Sequence, residues 1–82
     1  MDTDTVRKSF KRYVNLCKDK GIKTEDHDFN RISLSDMAYY TEFLFFDYLF
    51  IDDAEKEKVL MIYTQVIHLI DICKKSSKGW IY

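Results

Sequence analysis

Apolar side chains near the start of the chain recur with a helical period. Val6, Phe10, Tyr13, Val14 and Cys17 follow at steps of four, three, one and three, which places them on one face of a 3.6-residue repeat. Asp2, Thr3 and Asp4 ahead of them offer capping oxygens and negative charge to the unpaired N–H groups of a helix start. Lys18 and Lys20 suit the carbonyl end, and Gly21 is a natural stop. The pattern predicts a helix over about 4–20.

Residues 21–32 have neither a helical nor a strand period and read as a 12-residue loop, with Ile22, Phe29 and Ile32 as anchors onto a core. Ser33 followed by Asp36 resembles a capping box opening a second helix over 34–51. The rival reading is a strand over 43–51, whose aromatic and branched residues favour sheets. Length favours the helix, as does the lack of a turn signal between Leu34 and Phe43. Ala38, Leu44, Phe45, Tyr48 and Leu49 form its expected core side. Tyr39, Phe43, Phe46 and Phe50 recur at steps of four, three and four on a different face.

Asp52, Asp53 and Glu55 mark the start of a third helix reaching about residue 76. Val59, Ile62, Tyr63, Val66, Leu69, Ile70 and Cys73 make its inward face, and Met61, His68 and Ile72 lie away from it. Lys74, Lys75 and Lys78 close it, Gly79 can cap it, and the apolar tail Trp80-Ile81-Tyr82 is expected to fold back. With no repeat and no domain boundary, the chain reads as one helical domain over 1–82. Short connections then favour an all-α, up-down-up three-helix bundle. That topology carries two expectations: Cys17 and Cys73 sit close together as buried, reduced thiols, and Lys18, Lys20 and Lys23 gather with Lys74, Lys75 and Lys78 at one pole.

Composition narrows the class. Of 82 residues, 46 % are apolar, 16 % aromatic and 33 % charged, with no proline and two cysteines, which excludes a disordered segment, a disulfide scaffold and a linker. Met1-Asp2-Thr3-Asp4 lacks the basic lead of a signal peptide, and the longest uncharged run, 59–70, is shorter than the roughly 18 residues a spanning helix needs. No membrane association and a cytoplasmic location are expected. Phe, Tyr, Met, Ile, Asn and Lys total 35 residues against seven of Gly, Ala, Arg and Pro, an AT-rich codon bias common on phages, plasmids and low-GC genomes.

The net charge of −1 hides a partition. Residues 1–23 carry seven basic and three acidic groups, residues 24–57 two basic and ten acidic, and residues 58–82 four basic and one acidic. Helix capping accounts for part of this pattern.

Catalysis finds little support. His27 in Thr24-Glu25-Asp26-His27-Asp28 offers metal-ligating groups, but the spacing matches no cage and reads as a solvated polar loop. Cys17, Cys73, His27 and His68 lack the close pairs of a zinc site or a Cys–His catalytic pair, and Asp52-Asp53 reads as a cap. A non-enzyme without cofactor or metal is expected. Nucleic acid is the second class: Arg7, Lys11 and Lys18 share a face of the first helix, flanked by Lys8 and Arg12, and such a stripe can neutralise phosphates. A sequence pI near 6.1 and the absence of a helix-turn-helix turn weigh against it.

Protein association is the leading expectation. A bundle this small has difficulty covering both Tyr39, Phe43, Phe46 and Phe50 and the outlying Met61, His68 and Ile72, and exposed aromatic stripes are typical of partner surfaces. The chain is therefore expected to act as a stoichiometric inhibitor or regulator borne on a mobile element, binding another protein or pairing with itself as a homodimer. A small DNA-binding transcriptional regulator using the first helix is the alternative.

Overall fold

The computed structural model describes residues 2–76, and among them it contains three helices and no strand. Helix α1 spans Thr3–Asp19. Asp2 caps it, its carboxylate accepting from the Thr5 backbone N–H at 2.9 Å and the Thr5 hydroxyl at 2.8 Å. The other end closes on Gly21, whose φ of +88° lies in the left-handed region. There the Ile22 N–H reaches the Cys17 carbonyl at 3.0 Å and the Gly21 N–H reaches the Lys18 carbonyl at 2.9 Å, the two bonds of a Schellman cap. Ile22, just past the cap, is buried beside Cys17 in the core.

Helix α2 spans Leu34–Tyr48, with the Ser33 hydroxyl accepting from the Asp36 N–H at 3.1 Å. It is helical where a strand over 43–51 was the rival, but it ends three residues short of the expected 51. Phe50 and Ile51 then hydrogen-bond back to the Asp47 and Tyr48 carbonyls in a tightened turn. This turn leaves Leu49 56 % exposed rather than in the core, and Ile51 packs inward instead. Helix α3 spans Lys56–Ser76, a late start with a visible cause. The Asp53 carboxylate accepts from the Tyr48 hydroxyl at 2.6 Å, meets Lys20 Nζ at 3.1 Å and also engages the Glu55 backbone N–H, so it fastens the turn that leads into the helix.

All three helix pairs touch, forming the expected three-helix bundle, but the chain runs through it differently. Thr3 at the start of α1 meets Cys73 near the end of α3 at 3.8 Å, and Lys20 just past α1 meets Glu55 just before α3. These two helices are antiparallel. Arg7 Nε donates to the Ile32 carbonyl ahead of α2, the Tyr13 hydroxyl to the Thr41 carbonyl in its middle, and Lys20 shares Asp53 with Tyr48 at its end. Thus α1 and α2 are parallel, and the order is up-up-down rather than up-down-up. A helix of 17 residues is about 25 Å long, whereas a dozen extended residues reach about 40 Å, so the connection has length enough to return along the bundle. Ile22, Phe29 and Ile32 hold it down, as expected.

Two expectations fall with this correction. Cys17 and Cys73 are both buried thiols, but they lie at opposite poles. Lys18, Lys20 and Lys23 are likewise separated from Lys74 and Lys75 by the length of the bundle. Lys20 pairs with Asp53 and Glu55, while Lys75 pairs with Asp71 on its own helix. Lys78, Gly79 and the tail Trp80-Ile81-Tyr82 lie outside the described residues.

The core comprises the whole expected face of α1, with Val59, Val66, Ile70 and Cys73 of α3 and with Ile62, Tyr63 and Leu69 partly buried around them. On α2 the buried residues are Met37, Thr41, Leu44 and Tyr48. Of the expected set, Leu44 and Tyr48 are confirmed as core, and Ala38 and Phe45 are half-buried. Among the described residues no helix is long and apolar enough to cross a membrane.

Candidate protein-binding surface

Helix α2 and the turn that follows it carry two stripes with the same spacing. Met37, Thr41, Leu44 and Tyr48 face inward at steps of four, three and four, and Tyr39, Phe43, Phe46 and Phe50 repeat those steps two residues later. Two residues are about 200° of helical rotation, so the second stripe points away from the bundle. Its rings are 62 %, 50 %, 63 % and 79 % exposed in chain order. They order one another: Tyr39 stacks on Phe43 with centroids 6.1 Å apart, and Phe46 meets Phe50 edge-on at 5.6 Å.

The inner stripe is not wholly apolar. The inner stripe holds Thr41, fully buried, with a hydroxyl that has no hydrogen-bond partner. Its compensation is geometric, since a small residue there lets the Tyr13 hydroxyl reach the Thr41 carbonyl at 3.1 Å. Tyr48, at the end of the same stripe, reaches Asp53. These two hydrogen bonds, together with the packing of Leu34, Ala38, Tyr40 and Phe45 against the core, accompany a rotation of α2 that leaves three phenylalanines and a tyrosine exposed.

The surroundings of the stripe are acidic. Asp36, Glu42 and Asp47 of α2 are exposed, and the helix has no basic residue. Glu42 accepts from the Tyr63 hydroxyl of α3 at 2.8 Å, and burial together with that carboxylate pushes the Tyr63 hydroxyl up to about 12. The crossover loop adds further groups. His27, expected to be solvated, is half-buried, with its ring 4.5 Å from Tyr40 and 5.7 Å from both Phe10 and Phe29. Glu25 accepts from the Tyr40 hydroxyl at 2.8 Å, and this bond raises the Tyr40 pKa. Nothing in the loop sequence marks these contacts, because they arise only when the loop returns along α1.

The remaining candidates lie elsewhere. Met61 and His68 are exposed and line a groove between α1 and α3 with Arg12 and Lys58, to which no α2 residue contributes. Ile72 is half-buried further along α3. The seven expected partner residues therefore divide between one continuous stripe on α2 and a separate flank. Of the basic set on α1, Lys8, Lys11, Arg12 and Lys18 are exposed, with Lys11 over the Phe29 ring at 5.8 Å. Arg7 is engaged by Asp4 at 3.1 Å and by the Ile32 carbonyl at 3.0 Å.

At the pole where α1 ends and α3 begins, Lys20 joins Asp53 and Glu55. Their mutual hydrogen bonds raise the Lys20 pKa and lower both carboxyls, with the Tyr48 hydroxyl the first cause for Asp53. Burial and Asp53 push Tyr48 up to about 12. This cluster ties three chain segments together and is structural. Burial also raises the Cys17 thiol to about 11, so it stays protonated and unreactive at neutral pH. Among the described residues no three His, Cys, Asp or Glu side chains are grouped to hold a metal ion. No protein-family model, curated protein or solved structure matches the chain.

Proposed function

We propose that this chain is a protein-binding module that engages one partner stoichiometrically through the outer face of α2. One observation carries the reading: α2 buries a stripe containing Thr41 while leaving Tyr39, Phe43, Phe46 and Phe50 wet. Leaving such rings exposed is unfavourable, and burying them on a partner recovers that free energy at small entropic cost. The carboxylates of Asp36, Glu42 and Asp47 specify the complement as an apolar groove with basic rims. The same charges oppose a homodimer through this face, since stripe against stripe places carboxylates together. A module without its own chemistry acts by occupying a surface, as an inhibitor or regulator, and a cytoplasmic, mobile-element origin belongs to the same proposal.

The test places p-benzoylphenylalanine at Phe46 and, as a control, at Lys75, followed by irradiation in cells that produce the protein. The expected result is one adduct of 1:1 mass from position 46 alone. It is competed by excess wild-type protein but not by a Phe43→Ala, Phe50→Ala variant. Equal adducts from both positions, or none from position 46, overturn the proposal.

The alternative reading keeps four exposed cations, Lys8, Lys11, Arg12 and Lys18, on one helix. Nonspecific DNA affinity that falls steeply with salt would support it, and no binding at low salt removes it.

A further inference from the structure

Where the crossover loop meets the outer face of α2, the two enclose a cavity of about 190 Å3. It is lined by Tyr39, Tyr40 and Phe43, by His27 with its ring 4.5 Å from that of Tyr40, and by the buried Leu44. Glu25 stands on the lining with its carboxylate fixed by the Tyr40 hydroxyl at 2.8 Å. A carboxylate accepts more than one hydrogen bond, so Glu25 retains acceptor capacity toward a ligand. Asp36 adds a second negative charge near Tyr40.

Aromatic faces around a small cavity, closed by a carboxylate, attract cations, because each ring presents negative electrostatic potential on its face. A guanidinium suits this site better than an ammonium: it is planar, it stacks on Tyr and Phe, and it donates in a fork to a carboxylate. We infer that this cavity receives the guanidinium of an arginine side chain projecting from the partner, stacked on Tyr39 and Phe43 and hydrogen-bonded to Glu25. The inference rests on the α2 face being the docking surface, and it names the residue that anchors the partner there. Lys23 lies on the same lining, so the chain's own ammonium opposes the incoming charge and weakens the site.

The probe is N-acetyl-arginine methylamide, titrated into the labelled full-length protein and followed by NMR, with the citrulline compound as its uncharged counterpart and sodium chloride balancing ionic strength. The expected outcome is saturable shifts at Tyr39, Tyr40, Phe43 and Glu25 with a dissociation constant on the order of tens of millimolar. Citrulline should bind at least about threefold more weakly, and Glu25→Gln should remove that preference, while Glu57→Gln on α3 leaves it intact. Lys23→Ser should strengthen the arginine response. Equal responses to both compounds overturn the inference, as do shifts scattered over other acidic sites or an arginine preference that survives Glu25→Gln. The two proposals also fail separately. A null titration removes this pocket even if the Phe46 adduct forms, and a Glu25-dependent response without an adduct keeps the guanidinium site while overturning its use by a partner on α2.

Discussion

Replacing Phe43 by alanine separates a ring kept for a partner from a ring kept for the fold. Full burial of a phenylalanine is worth roughly 1.5–3 kcal/mol relative to exposure. Phe43 is 50 % exposed, so folding realises about half of that, near 1 kcal/mol, and an interface covering the rest gains a similar amount. In a domain of this size a loss of about 1 kcal/mol lowers the melting temperature by roughly 4–8 °C, and the same loss in an interface weakens binding about fivefold. Phe10 provides the contrast, because its ring is 0 % exposed at the centre of the core. Phe10→Ala should cost about 3–5 kcal/mol, a large share of the total stability of a small domain, and should leave little folded protein. Thermal melts of both variants, beside the yield of the Phe46 adduct in the Phe43→Ala background, make the measurement. The reasoning is refuted if Phe43→Ala melts as low as Phe10→Ala while the adduct yield is unchanged, since Phe43 is then core.

Further tests address the fastenings of the fold. Asp53 and Glu55 have lowered carboxyl pKa values, so their stabilisation is complete above the ordinary carboxylate range and is lost as pH falls through the lowered values. Melting temperatures taken from about pH 5 to about pH 2 should drop less steeply in Asp53→Asn than in wild type, and parallel curves would show that the Asp53 carboxylate contributes nothing. Gly21→Ala should cost roughly 1–2 kcal/mol in a denaturant titration through backbone strain alone, because an added Cβ at φ +88° meets nothing within 4 Å. Mild oxidation should produce no Cys17–Cys73 disulfide in native monomer, and finding that bridge by mass spectrometry would contradict the antiparallel packing of α1 and α3. Lys11→Glu with Lys18→Glu should leave the melting temperature nearly unchanged, as both side chains are exposed, and a collapse of the fold would place them in the packing instead.

The local steps of the fold were legible in the residues themselves. Period, caps and stops are short-range properties, so the five-residue face of α1, the Asp2 and Ser33 caps, the Gly21 stop and the inward face of α3 could each be read within a few residues. The aromatic stripe of α2 was legible for the same reason, because four rings at helical spacing form a face wherever the helix packs. Which face turned inward was legible in part: Leu44 and Tyr48 lie on the expected core side, with Ala38 and Phe45 half-buried, whereas Leu49 is exposed and Met37 and Thr41 fill the remaining inward positions. The finer rotation rests on contacts between different segments, with Tyr13 reaching the Thr41 carbonyl, Tyr48 reaching Asp53 and Phe45 stacking on Tyr63. The direction of the chain also lay beyond local reading. A dozen residues permit either a tight reversal or a return along the bundle, and the return prevails where His27, Phe29 and Ile32 pack on α1 and α2 and Lys20 meets Asp53 and Glu55. Helix faces follow from neighbours in the chain, but helix direction and rotation follow from neighbours in space, and only the folded structure supplies those.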